Sequence, residues 1–263
     1  MDTDAVLQLL KDTAEAVINP RFQALSKDQV EEKHPGDLVT VADRESEELL
    51  TKALLADDPD ALVVGEEAVD QDPSILDALD GADHAWTVDP VDGTKNFVAG
   101  SPDHAVMVAE LRSGQVVRGW IWQPQHEQAY VAERGAGAEC NGVRISRPLP
   151  AGEPGQLRGA TSYRKLWGAQ IGQLEPLGPT HLCCGIDYGR LASGLVDFLV
   201  YRRAKPWDHA PGSLIATESG GRVGRADGSD YDPRTRQHGL LAAGSSAAFA
   251  TALRQMGRSF TEL

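Results

Sequence analysis

The chain holds little of what marks a secreted, membrane-spanning or nucleic-acid-binding protein. Of its 263 residues only three are cysteine, Cys140, Cys183 and Cys184. An odd count without C-x-x-C spacing supports neither a disulfide framework nor a zinc knuckle. No apolar run approaches the ~18 residues of a membrane span, and the acidic, amphipathic start MDTDAVLQLLKD is unlike a signal peptide. Positive charge is scarce: 25 Lys and Arg face 39 Asp and Glu, a net charge of −14. That balance disfavours attraction to nucleic acid or an anionic membrane. RGAGAECNG at 134–142 contains a G-x-G, but no full dinucleotide fingerprint and no Walker lysine motif occurs. The expectation is a cytoplasmic globular protein, long enough for one large domain or two small ones.

Apolar residues at helical spacing, Val6 through Ile18, predict an opening helix that Pro20 terminates. A short strand DLVTVAD follows, and Asp43 stands where the N-cap of a second helix, RESEELLTKALLA, is expected. Short β-rich runs at 61–64, 84–88, 104–112, 115–123 and 128–134 then read as a meander. The Pro/Gly-rich spacer 147–156 is a candidate subdomain boundary. Beyond it a helix near 187–194, a strand near 196–201, a helix near 208–218 and a strand near 239–243 alternate. This order argues for layered helices and sheets.

What the chain has in quantity is carboxylate, and part of it is clustered. WTVDPVDGTKNF (86–97) sets Asp89 and Asp92 around Pro90. DLVTVAD carries Asp37 and Asp43, GEE carries Glu66 and Glu67, and KPWDHAPG carries Asp208, each at a predicted strand end or helix start. Such edges are where α/β proteins gather ligands. If Glu66, Asp89, Asp92 and Asp208 meet, each ionised pair ~4 Å apart repels by about 4 kcal/mol at an effective dielectric near 20. A hard divalent cation offsets that, and oxygen ligands without His or Cys favour magnesium over zinc. The Val91 carbonyl is one further oxygen. Gly93 and Thr94 follow where a helix can begin, with amides suited to a phosphate. Two metals beside an anion cradle suit phosphoryl transfer to water, one acidifying a bound water and the other stabilising the leaving oxygen. Thr94 would orient that water and donate to Asp43. A haloacid-dehalogenase nucleophile is excluded by register, because its D-x-D-G-T pattern lands on Pro90.

Taken together, DLVTVAD, GEE, WTVDPVDGTKNF and KPWDHAPG…ESGG resemble the inositol monophosphatase family of magnesium-dependent, lithium-sensitive phosphatases, over about residues 5 to 255. The resemblance implies an α/β fold, the layered αβαβα sandwich shared with fructose-1,6-bisphosphatase, as a single domain over 1–263 that forms homodimers. It implies that Glu66, Asp89 and the Val91 carbonyl hold a first Mg²⁺, that Asp89, Asp92 and Asp208 hold a second, and that Glu66 touches a loosely held third where one binds. Asp43, Thr94 and Glu66 would serve catalysis, with Glu67 behind them. Gly93 and Thr94 would hold phosphate, and Asp92, Asp208, Tyr201 and Cys184 would line the substrate side.

Two departures bear on the substrate. Tyr201 stands seven residues before Asp208, where inositol-specific members carry a glutamate, and LCCG (182–185) replaces a Gly-Thr-Ala run. Arg202, Arg203 and Lys205 precede Trp207. A cation facing the pocket would point to a bisphosphate, and none facing it would leave a polyol or amino-alcohol phosphate open. Lys33, just before DLVT, would either approach a metal-bound phosphate or water or stand on a mobile loop. Fructose-1,6-bisphosphate, histidinol phosphate and a 3′-phosphonucleotide remain alternative substrates. A phospholigand- or metal-sensing module is the non-enzyme alternative. A calcium loop is disfavoured, because DPVDGT lacks the required D-x-D-x-D-G spacing.

Overall fold

A computed structural model describes residues 1–146, 150 and 153–261. Within the spacer expected at 147–156, residues 147–149, 151 and 152 lie outside the described residues.

Asp2 caps helix α1 (Thr3–Thr13) by accepting the Ala5 amide at 2.8 Å. The expected stop at Pro20 takes a different form. The α-helix closes at Thr13, and the helical path continues as a π turn (Ala14–Ile18) and a 3₁₀ turn (Asn19–Arg21) holding Pro20 near its start, where no amide donor is needed. Strands β1 (Val30–His34) and β2 (Asp37–Thr40) pair as an antiparallel ribbon leading to α2 (Val41–Asp57). Thr40, not Asp43, is the N-cap of α2 and accepts the Ala42 amide at 3.1 Å. Asp43 is the third helical residue, and its carboxylate returns to the Thr40 amide at 2.8 Å. Two otherwise unpaired donors are thereby satisfied reciprocally.

β3 (Leu62–Gly65) runs through α3 (Glu66–Gln71) and α4 (Ser74–Ala78) to β4 (His84–Asp92), which pairs with it in parallel. After α5 (Thr94–Val98), antiparallel strands β5 (Ala105–Arg112), β6 (Gln115–Gln123), β7 (Gln128–Glu133), β8 (Gly137–Cys140) and β9 (Val143–Arg144) complete a seven-stranded sheet in chain order. The second sheet has five strands, β10 (Gly159–Thr161), β11 (Gly178–Pro179), β12 (Phe198–Tyr201), β13 (Arg222–Arg225) and β14 (Leu240–Ala243), in the order β11-β10-β12-β14-β13. Helices α6 (Cys184–Ala192) and α7 (Pro206–Glu218) lie between the sheets. α8 (Ser246–Thr261), broken at Gly257, covers the outer face of the second.

The layers therefore read α1/α2, seven strands, α6/α7, five strands, α8, which is the αβαβα sandwich expected. Leu50, Leu54, Trp86 and Trp120 fill the first interface, Met107, Ile121, Tyr188 and Ile215 the middle, and Phe198, Leu241 and Phe249 the last. A helix packed between two sheets has no wet face; accordingly α7 is buried along nearly its whole length.

β4 does not end at residue 88. Its register on β5 passes from Asp89↔Met107 to Asp92↔Ala105, so one extra residue is inserted on β4. Residues three apart on a regular strand face opposite sides. The bulge brings Asp89 and Asp92 to the same side, and Pro90, which has no amide to donate, sits within it.

Candidate active site

The acidic motifs converge at the C-terminal ends of the parallel pair β3 and β4. Glu66 begins α3 directly after β3, Asp89 and Asp92 close β4, and Asp208 arrives from the first turn of α7. Carboxylate oxygens of Glu66, Asp89 and Asp208 lie within 4.8 Å of one another. Asp92 stands beside this group with its Oδ2 turned toward α6, accepting the Gly185 amide at 2.6 Å and the Cys183 thiol at 2.9 Å.

Electrostatics follow from that crowding. Burial, reinforced by the charges of Glu66, Asp92 and Asp208, drives the Asp89 carboxyl well above the usual carboxylate range. Burial does the same to Asp208, against the pull of the Lys205 ammonium and with Glu66 and Asp92 adding to the rise. Asp92 is pushed up to about 6 by burial, held back by its hydrogen bonds from Cys183, Gly185 and Cys184. Oδ1 of Asp89 is buried and has no hydrogen-bond partner among the described residues. An orphaned carboxylate oxygen among repelling carboxyls is a deficit of positive charge. The all-oxygen donor set fits a hard cation such as Mg²⁺. Asp208 also groups with Cys184 and His209, but both ring nitrogens of His209 are engaged, by the Tyr188 hydroxyl and the Arg203 carbonyl at 3.1 Å each.

Two lysines partly compensate. Nζ of Lys33 is 2.8 Å from Glu67 and 3.7 Å from Glu66, and Nζ of Lys205 is 3.8 Å from Glu66. Asp37 adds negative charge felt by both lysines and by Asp208.

Thr94 opens α5 after Gly93, whose φ of 84° is in the left-handed region. The Thr94 hydroxyl reaches Oδ1 of Asp43 at 3.0 Å and the Val91 carbonyl at 3.1 Å. Burial pushes Asp43 up to about 7, with the Thr40 hydrogen bonds lowering it and the Glu67 charge raising it. Gly93 is tightly confined, since a Cβ there would meet the Asp103 carbonyl at 2.9 Å and Cys183 at 3.0 Å.

The substrate-side residues differ in placement. Cys184 stands within reach of Asp208, whereas Tyr201 is buried, stacked on Tyr188, with its hydroxyl donating to Asp187 at 3.3 Å. Leu182 takes φ 56°, in the left-handed region, and is 40% exposed.

Two structural supports are absent from the sequence reading. Glu47, buried on α2, accepts the Glu67 and Ala68 amides at 2.9 and 2.7 Å and so fixes the start of α3. It fits because Gly65 has no side chain; a Cβ there would fall 2.3 Å from the Glu47 carboxyl. The available signal was a glutamate four residues after Asp43, on the core-facing stripe of α2. Asn96 ties the Asp103 and His181 carbonyls together at 2.8 and 2.9 Å, joining the segment after α5 to the approach of α6.

Sandwich and acidic pocket together define a layered α/β phosphatase class. The profile of the inositol monophosphatase family matches residues 2–258, and the chain belongs to that family. Inositol-1-monophosphatase of Rhizobium meliloti is 32% identical over 214 residues, 76% of each chain. Fructose-1,6-bisphosphatase/inositol-1-monophosphatase of Aquifex aeolicus is 29% identical over 218 residues, 78% of each. The Thermotoga maritima IMPase structure superposes with a TM-score of 0.80 at 25% identity, covering 98% of this chain and 97% of that one.

Proposed function

We propose that this phosphatase hydrolyses a small, inositol-phosphate-like monoester with Mg²⁺, by direct attack of water. The observation that carries the reading is the Glu66–Asp89–Asp208 cluster with its orphaned Asp89 oxygen. Glu66, Asp89 and the Val91 carbonyl would hold one Mg²⁺ and Asp89, Asp92 and Asp208 a second, with a third near Glu66 where one binds. When bound, Mg²⁺ supplies an acidified water and charge for the leaving oxygen.

The remaining work belongs to the side chains. Thr94 orients the attacking water by accepting a hydrogen bond from it while donating its own to Asp43. Asp43, pushed up to about 7 by burial, takes a water proton through that hydroxyl and gives it up again as the alcohol leaves. Gly93 and Thr94 amides face the phosphate. A water oxygen bonds to phosphorus, the ester P–O bond breaks, and the two water protons end on phosphate and on the released alcohol. The reading includes one domain over 1–263, since α6 and α7 serve both sheets, a homodimer, and a cytoplasmic location.

Fructose-1,6-bisphosphate, named for the Aquifex relative, is the alternative substrate favoured by Lys205 facing Glu66. Phosphate release from inositol 1-phosphate, histidinol phosphate, fructose 1,6-bisphosphate and a 3′-phosphonucleotide, with Mg²⁺ and with EDTA, tests the proposal. Mg²⁺-dependent turnover is expected, and no release from any ester would return the chain to a sensing role.

A further inference from the structure

Two helix starts meet beside the carboxylate cluster. Cys184, in the LCCG run, opens α6, and Asp208 and His209 lie in the first turn of α7. The Cys184 sulfur, a carboxylate oxygen of Asp208 and a ring nitrogen of His209 lie within 4.8 Å of one another. Asp208 is therefore common to two groups of different chemistry. Glu66, Asp89 and Asp208 offer only carboxylate oxygen, whereas Cys184, Asp208 and His209 offer sulfur, oxygen and nitrogen, donors that suit zinc better than magnesium.

The buried His209 imidazole is oriented to take an ion. Its Nε2 stands 3.1 Å from the Arg203 carbonyl, which can only accept, so Nε2 carries the proton and Nδ1 keeps its lone pair. Histidines that ligate metals hold their other N–H on a carbonyl or carboxylate in this way. The Tyr188 hydroxyl meets Nδ1 at 3.1 Å, one neutral hydrogen bond from a group that can turn aside. A second hydroxyl marks the same enclosure as incomplete. That of Tyr231 is buried with no partner among the described residues. Burial raises it, Arg225 opposes, and Asp208 and Cys184 add to the rise, so it stands within electrostatic reach of both. An unpaired buried donor beside a candidate ligand set calls for an acceptor, and a water on the fourth position of a tetrahedral ion would supply one.

We propose that Cys184, Asp208 and His209 form a separate, sulfur-containing site for a divalent cation of the zinc class, held by Sγ, a carboxylate oxygen and Nδ1. The thiol yields its proton to solvent as the ion binds. An ion there draws Asp208 away from the proposed Mg²⁺ and slows phosphate release, a consequence that rests on the phosphatase reading above.

Co²⁺ reports on such a site, because thiolate ligation gives a sulfur-to-metal charge-transfer band that an all-oxygen site lacks. Metal-free full-length protein is titrated with Co²⁺ as wild type, C140S, C183S, C184S and H209Q. The band should form in wild type, C140S and C183S, disappear when Zn²⁺ is added, and be missing in C184S. H209Q should need about tenfold more Co²⁺. No band in wild type, a band kept in C184S or lost in C183S, or an unaltered affinity in H209Q overturns the site. If a variant fails to fold, zinc-edge X-ray absorption of the wild type decides. One sulfur neighbour supports the site, and a shell without sulfur overturns it. Phosphate release with Mg²⁺ is then titrated with Zn²⁺, each protein against its own rate without Zn²⁺. The half-inhibiting concentration should rise about tenfold in C184S, and equal inhibition overturns the antagonism. If no ester is hydrolysed, the phosphatase reading has failed and the Co²⁺ spectra still decide the site.

Discussion

The Thr94 hydroxyl donates to Oδ1 of Asp43 across 3.0 Å, joining the first turn of α5 to the first turn of α2. The other carboxylate oxygen of Asp43 is already taken by the Thr40 amide and hydroxyl, so Oδ1 is the one left for Thr94. A hydroxyl has one proton and two lone pairs; while it donates to Asp43 it can accept from a water. Asp43→Asn and Thr94→Val should each lower kcat by about 10²–10⁴-fold, the range of a positioned acid–base group, while Thr94→Ser keeps most of the activity. Steady-state phosphate release checks this, and a Thr94→Val enzyme within threefold of wild type would remove Thr94 from the mechanism.

Buried carboxyls give a pH dependence whose sign can be worked out. Burial raises Asp43 and Glu47 to about 7 and Asp187 to about 8, against unfolded values near 4. The folded state therefore binds protons that the unfolded chain releases, and stability falls as pH rises through these folded values. His104 and His209, lowered by burial to about 4 and about 3, act in the opposite sense, but only below their unfolded pKa of about 6.5. Of these five groups, only the carboxyls act between pH 6.5 and 8.5. In EDTA, the thermal midpoint should drop over that interval by at least about 4 °C. Mg²⁺ should restore part of the loss, and a flat or rising midpoint in EDTA would contradict the assignment.

Glu47 makes no contact with substrate in this scheme, yet it holds the peptide that carries Glu66. Replacing it with alanine strands the Glu67 and Ala68 amides, and a buried unpaired donor costs about 1–3 kcal/mol. Chemical denaturation should show a loss of that size for Glu47→Ala, with Glu47→Gln recovering part of it through its remaining acceptor. Mg²⁺ affinity should weaken in the same order. If Glu47→Ala lost stability without any change in Mg²⁺ affinity, the residue would support the fold and not the site.

The clustered carboxylates were legible because each sits in a short motif at a chain reversal, where Asp-Pro, Gly-Glu-Glu and Trp-Asp leave a recognisable pattern. The layering was legible because hydrophobic periodicity changes from 3.6 to 2 and back along the chain. The bulge between Asp89 and Asp92 was not, since a proline within an otherwise apolar approach reads as a strand end. Thr40 was passed over as the cap because Asp43 is an equally good capping residue, and only the extended backbone at Thr40 decides between them. Glu47 depends on contacts between distant segments, its carboxylate meeting the Glu67 and Ala68 amides, and no local pattern announces it.

The clearest separation of folding from function lies at Asp89. Its Oδ1 is buried without a partner, and Glu66, Asp92 and Asp208 all disfavour its charge. Without a cation this carboxylate destabilises the fold; with one it becomes a shared ligand in the proposed scheme. Asp89→Asn removes the charge at nearly constant volume, so in EDTA the variant should unfold at a higher temperature than wild type. Mg²⁺ adds roughly 2.7 kcal/mol to a protein at a hundredfold excess over Kd, and the variant should lose most of that gain along with orders of magnitude in kcat. Thermal midpoints of both proteins, with and without Mg²⁺, provide the comparison. A variant less stable than wild type in EDTA, or equally stabilised by Mg²⁺, would mean that Asp89 serves packing and that the cation is held elsewhere.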